Sequence, residues 1–213
     1  MTTEPSTSVR RLTLFGVALT TAAGALGTAF LPYLLVNHPR VLIALSADLR
    51  NLVLVGPTVE LPVQLAIGVP RRVLGMACTY GLGLVYGQAL VTWAEKKLPR
   101  IAKVLSWFER VFARFAIASV VIWPAYATSA LAGSNRMPLG RYLPAMVIGQ
   151  VGFVLVSFYL GASVSEWTDR LTDAAAKYMW ESTAVFASVV GLQQLVSWVR
   201  RRRAARLRYA DRP

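Results

Sequence analysis

Between Gly56 and Pro70 the chain reads G-P-T-V-E-L-P-V-Q-L-A-I-G-V-P, a run apolar enough for the interior of a bilayer but interrupted by Pro57 and Pro62. Each proline removes a backbone donor and crowds the preceding turn. Between them stands Glu60. A carboxylate at membrane depth is costly, and irregular backbone is tolerated there only against protein or a water-filled cavity. The stretch predicts a re-entrant segment, about 51–70, that dips into the membrane and turns back with Glu60 near its tip. The competing reading is a kinked span whose Glu60 is compensated internally.

Composition enters because it decides between a membrane domain and an apolar soluble one. Of the 213 residues, 55% are hydrophobic and 15% charged, and several nearly uncharged runs approach the ~20 residues an apolar helix needs to cross the hydrocarbon core. One membrane domain, 10–199, is expected between a polar N-terminal tail, 1–9, and a basic tail, 200–213. The net charge of +13 lies beside the apolar runs, where anionic lipid and orientation account for it, so nucleic acid is not expected as a partner. Cys78 is the single cysteine and lies in an apolar run, which excludes an intramolecular disulfide and a cysteine metal cluster. The one histidine, His38, sits beside Pro39 with no ligand set around it. With no nucleophile, histidine and acid set and no metal-ligand spacing, the chain is read as neither an enzyme nor a cofactor or metal protein.

Taken in order, Arg10-Arg11 precede a first span, Leu12–Val36, and Asn37–Arg50 reads as an interfacial connector in which Ser46-Ala47-Asp48 caps a turn or the next helix. Arg71-Arg72 close the first dip. A second span, Val73–Trp93, carries Gly83-L-V-Y-Gly87, a small-xxx-small face for close helix packing, which makes a homodimer plausible. Ala94–Phe115 alternates apolar residues with Lys96, Lys97, Arg100, Lys103, Arg110 and Arg114 as a surface helix does. Phe115–Gly133 repeats the opening anomaly, broken at Pro124 and closing on Thr128-Ser129-Ala130-Leu131-Ala132-Gly133. A span over 141–164, a second surface helix, Ser165–Trp180, and a last span, Thr183–Val199, complete the chain. Two proline-broken apolar segments in corresponding halves point to a membrane site built from inverted repeats. If both segments dip and return, most of the 23 lysines and arginines fall on one side, as the positive-inside rule requires; full crossings nearly even the split. The predicted fold is therefore an all-α integral membrane protein of the cell (inner) membrane. It has four transmembrane helices, two opposed re-entrant segments, two amphipathic surface helices and both termini in the cytoplasm.

Leu131–Gly161, L-A-G-S-N-R-M-P-L-G-R-Y-L-P-A-M-V-I-G-Q-V-G-F-V-L-V-S-F-Y-L-G, resembles the DedA superfamily, also called the SNARE-associated or VTT-domain family. Ala132-Gly133, Arg136-Met137, Tyr142, Gly149 and Leu160-Gly161 fall in the places of that family's pattern. Ile122-Trp123-Pro124 resembles its second re-entrant loop, and Pro57, Glu60 and Gly68 resemble its first. The resemblance covers about 50–165. The chain departs from the family in two places: Ala116–Trp123 holds no arginine, and Gly87 is followed by Gln88 where an acid is common. The resemblance implies movement of lipids across the bilayer, of a polyprenyl-phosphate carrier or a phospholipid.

On this view Glu60 is the positioning group, and Gln64, Thr128 and Ser129 are neutral hydrogen-bonding partners at the tips. Arg71, Arg72, Arg114, Arg136 and Arg141 are candidates for capturing phosphate at the two mouths, since guanidinium matches phosphate oxygens bidentately. Glu60→Gln is then expected to abolish transport without preventing insertion. An ion-coupled carrier of small solutes and a non-transporting scaffold with a lipid-binding tail are the competing functions.

Overall fold

The computed structural model describes residues 7–97, 115–166, scattered positions between 170 and 181, and 183–193, with 88–97 described through the backbone alone. Every regular element among the described residues is helical. In chain order these are α1 (Thr7–Ala29), α2 (Leu31–Asn37), α3 (Pro39–Leu45), α4 (Leu49–Val55) and α5 (Leu61–Lys97). Then come α6 (115–122), α7 (Tyr126–Ser134), α8 (Leu139–Ser163) and α9 (Thr183–Gln193). Two helices are long and apolar enough to cross a membrane, Arg10–Ala29 and Leu139–Ser163. Both expose rows of large apolar side chains, Leu12, Phe15 and Leu19 on the first, Ile148, Val156 and Tyr159 on the second.

Prolines set the helix boundaries, and they do so by starting helices more than by breaking them. Pro32 opens α2 and Pro39 opens α3, and Pro62 is the second residue of α5. A first-turn N–H has no partner within the helix, so proline costs nothing there. This moves several predicted boundaries. The first span ends at Ala29, and α2 follows separately. Pro57 and Glu60 are exposed in the link, 56–60, that joins α4 to α5. From Leu61 a single 37-residue helix runs through Pro70, Arg71 and Arg72, about 55 Å at 1.5 Å per residue. The two arginines therefore end nothing.

Two short helical hairpins give the bundle its plan. In the first, α3 runs in to a tip at Ser46-Ala47-Asp48 and α4 runs back out. In the second, α6 runs in to Trp123-Pro124-Ala125 and α7 returns. The long helices α5 and α8 are antiparallel: Gly68 faces Val154, Arg72 bonds Gln150, and the Met76 carbonyl accepts from the Tyr142 hydroxyl. The hairpins enter this pair from opposite ends. Gly161 near the end of α8 packs so closely on Val53 and Gly56 of the first hairpin that a Cβ there would meet the Val53 carbonyl. At the other end, Gly83 of α5 meets Ala130 of α7, Gly87 meets Ser134, and Gly133 meets Tyr80. The predicted small-xxx-small face of α5 is thus occupied within the chain by α7, and is not a surface left for a second copy.

Each hairpin has its own apolar core. Leu42, Ile43, Leu52, Val55 and Val154 bury one end; Met76, Tyr80, Val120, Leu131, Tyr142 and Met146 bury the other. Between them lies a polar layer, set by Arg72 and Gln150. Each of these residues is about 16 Å along its helix from the first residue, which brings them level in the antiparallel pair. The predicted surface helix Ala94–Phe115, with Arg114, lies outside the described residues apart from its ends. The last predicted span is described only over Thr183–Gln193.

Candidate functional site

The polar layer is built from the ends of the hairpins. A helix leaves its last carbonyls without intrahelical donors, and cations are favoured beside them. At the first tip those carbonyls take both arginines. Arg71 donates from Nε and Nη2 to the Leu45 carbonyl (3.1 and 2.8 Å), and from Nη2 to the Thr20 carbonyl of α1 (3.0 Å). Arg72 is only 6% exposed. Its Nη1 donates to Ala47 O (2.8 Å), its Nη2 to Pro124 O (3.4 Å), and its Nε to Gln150 Oε1. The guanidinium also lies over the Phe153 ring, 3.7 Å from its centroid, a cation–π contact that desolvation strengthens. One buried cation therefore joins the tips of both hairpins.

The two tips are matched in detail. One step along the chain carries Ala47 onto Pro124, whose carbonyls Arg72 both engages. The same step carries Asn51 onto Thr128. Asn51 Nδ2 donates to the Ser46 carbonyl at 3.0 Å and Thr128 Oγ1 to the Trp123 carbonyl at 2.9 Å, each reaching back five residues. It also carries Gly56 onto Gly133, and Arg72 to within one residue of Gln150. Gln150, fully buried, completes the layer through Nε2, which donates to Pro124 O (3.4 Å) and to Met76 Sδ (2.7 Å).

Beside this layer opens a cavity of about 350 Å³, lined by α1 (Val17, Thr20, Thr21, Gly24), the first tip, α5 (Arg71, Arg72, Gly75, Thr79) and Tyr126 at the start of α7. Asp48 lines it too. It occupies the N-cap position of α4 but its carboxylate makes no capping bond; it accepts from Ser46 Oγ at 2.8 Å and is exposed. Arg71 Nη1 makes no hydrogen bond among the described residues. The lining thus offers two guanidiniums, one carboxylate and several hydroxyls, with free donors on Arg71. Chemically, it is a site for an anion carrying oxygen acceptors.

The other residues singled out from the sequence are dispersed. Glu60 is exposed in the link beyond α4, at the outer end of the first hairpin and away from its tip. The tip falls at Ser46-Ala47-Asp48, inside the stretch read as a connector. Gln64 is fully buried and donates to the Leu52 carbonyl at 2.7 Å, while its Oε1 has no partner among the described residues. Thr128 closes the second tip. Ser129 is buried with its hydroxyl on the Tyr142 phenol. Arg136 adopts φ 51° and ends α7: its N–H bonds Gly133 O, and Met137 N–H reaches Ala132 O at 2.9 Å, the six-to-one closure of a left-handed cap. Its side chain and that of Arg141 are exposed. Of the predicted site residues that are described, Arg71 and Arg72 alone reach the cavity; Arg114 lies outside the described residues. Asp48, Ser46 and Tyr126 are the lining residues that sequence reasoning passed over; the available signal was an aspartate set between the apolar runs Val41–Leu45 and Leu52–Val55. Comparison with protein-family models, with curated proteins and with solved structures gave no match.

Proposed function

We propose that this chain is an integral membrane transporter that moves lipids with an anionic phosphate headgroup across the bilayer, as the resemblance to the DedA superfamily implies. In this reading α1, α5, α8 and the expected last span, Thr183–Val199, cross the membrane, and the two hairpins are re-entrant, one from each face, as an inverted repeat. The observation that carries it is the cavity beside the buried polar layer, lined by Arg71 and Arg72. A cationic, hydroxyl-lined space inside an apolar layer lowers the barrier to a phosphate there, while the acyl or prenyl tails stay in lipid. Buried charge inside a membrane bundle marks a substrate path more often than a structural need. The matched hairpin tips support the reading further, because they give each face of the bundle an equivalent approach to one central cation.

The test is lipid movement in proteoliposomes, followed with a fluorescent phospholipid and, separately, a polyprenyl-phosphate probe. Wild type accelerates movement of at least one probe. Arg71→Gln lowers that rate about tenfold or more, the loss of one charge-assisted phosphate contact, and Glu60→Gln leaves it near wild type. Folded wild type that moves neither probe would end the lipid reading and favour small-solute transport or a scaffold. Full loss in Glu60→Gln, with Arg71→Gln active, would return the site to the link beyond α4.

A further inference from the structure

The cavity's fixed charge can be counted among the described residues, because few ionisable groups there face it. Arg71 and Arg72 come from α5, Asp48 from the first tip, Tyr126 from α7; α1 contributes only Val17, Thr20, Thr21 and Gly24. The nearest further cation on the hairpin, Arg50, turns away from the cavity, with Nε 3.3 Å from Asn51 Oδ1 and Nη2 3.5 Å from Thr28 Oγ1. Guanidiniums keep their charge, and backbone carbonyls, which hold both of them, carry none. Two cations against one carboxylate leave a single positive charge. In a space walled by apolar helices an unbalanced charge is expensive, so the favoured occupant is the one that brings the total to zero.

We infer that Asp48 sets the charge of the headgroup this cavity accepts, selecting a singly charged phosphodiester over a doubly charged phosphomonoester. The inference rests on the transport reading and narrows it: of the two lipid classes proposed above, it chooses the phospholipid. The geometry gives Asp48 this part. An aspartate at a helix start ordinarily turns back to cap the first N–H groups; here it does not, and, bonded by the Ser46 hydroxyl, it lines the cavity together with the two arginines instead. A phosphodiester brings one negative charge for the one in excess. A phosphomonoester carries between 1.5 and 2 at neutral pH, and leaves the cavity negative with Asp48 in place.

The experiment compares tail-labelled phosphatidylglycerol, a phosphodiester, with tail-labelled phosphatidic acid, a phosphomonoester, in proteoliposomes of the full chain at pH 8. The readout is the ratio of the two rates. Wild type favours the diester by about tenfold, the scale of one partly screened charge. Asp48→Asn removes the carboxylate and brings the ratio to parity or below, whereas Asp48→Glu keeps the wild-type preference. Thr79→Lys on the opposite wall of the cavity adds the same net charge without touching the first tip, so it shifts the ratio in the same direction if Asp48→Asn does not fold. A loss of packing alone would slow both lipids together and leave the ratio fixed. A ratio that stays at the wild-type value in whichever of these two variants folds overturns the inference while the transport reading stands; wild type that moves neither lipid removes both.

Discussion

The hairpin of α3 and α4 has a polar tip, Ser46-Ala47-Asp48, and borders a cavity of about 350 Å³; the hairpin of α6 and α7 has an apolar tip, Trp123-Pro124-Ala125, and is pressed onto α5 through Gly83, Gly87 and Gly133. Both close their tips by the same bond from a side chain five residues on. Both surrender a tip carbonyl to Arg72. What differs is the room around them. Glycine lets α7 and α5 approach until their backbones touch, which leaves no space for a ligand on that side. Around the first tip, α1 and α5 stand far enough apart beside Thr20, Arg71 and Thr79 to leave a space, and that space is the cavity. One plan thus yields a clamped half and an open half, and the chemistry lies where packing is incomplete.

The largest effect tests what the halves share. Arg72→Met strands the Ala47 carbonyl and Gln150 Oε1 and takes one of two donors from the Pro124 carbonyl, and should cost about 2–4 kcal/mol, the penalty of two buried acceptors left unpaired. Thermal unfolding in detergent reads this directly, and an unchanged Tm would mean that the hairpins hold without their common cation. The next pair asks whether the clamp is real. Gly133→Ala drives a methyl into the Tyr80 backbone and should lower stability by about 1–3 kcal/mol as overpacking does. At the matched position Gly56→Ala brings a methyl to 3.2–3.4 Å from backbone atoms, a tight contact and not a clash, and should cost the low end of that range, about 1 kcal/mol. Equal costs would erase the contrast between the halves. The smallest effects are expected at the tip bonds, where Asn51→Leu and Thr128→Val should each cost about 1 kcal/mol. Their difference lies in function: loosening the first tip should disturb Asp48 and slow transport, while loosening the second should leave the transport rate of folded protein unchanged.

Much of this was legible in the residues. The all-helical fold, the break at Pro124, the close-packing face Gly83-L-V-Y-Gly87 and the candidacy of Arg71 and Arg72 all follow from residue type and spacing. The first hairpin did not, and the reason is physical. With 7 residues each, α3 and α4 span barely two turns, too short for a periodic pattern to declare itself. Proline was the second source of error. Pro62 interrupts an apolar run in the sequence, yet in the fold it occupies the one place in a helix where its missing N–H is harmless, so the apparent break is a beginning. The direction of Asp48 was out of reach for a different reason: whether an aspartate caps its own helix or faces a cavity depends on Ser46 and on arginines 23 and 24 positions away, which only the folded chain brings together.

Arg72 also fixes a schedule. Its partners are 25 residues behind it at Ala47, 52 ahead at Pro124 and 78 ahead at Gln150. During synthesis the first tip is therefore made before its cation exists, and the cation in turn waits for the second hairpin and α8 with most of its donors unpaired. A chain cut short of α8 leaves that guanidinium without Gln150, so the polar layer closes only once the last of these helices has been made.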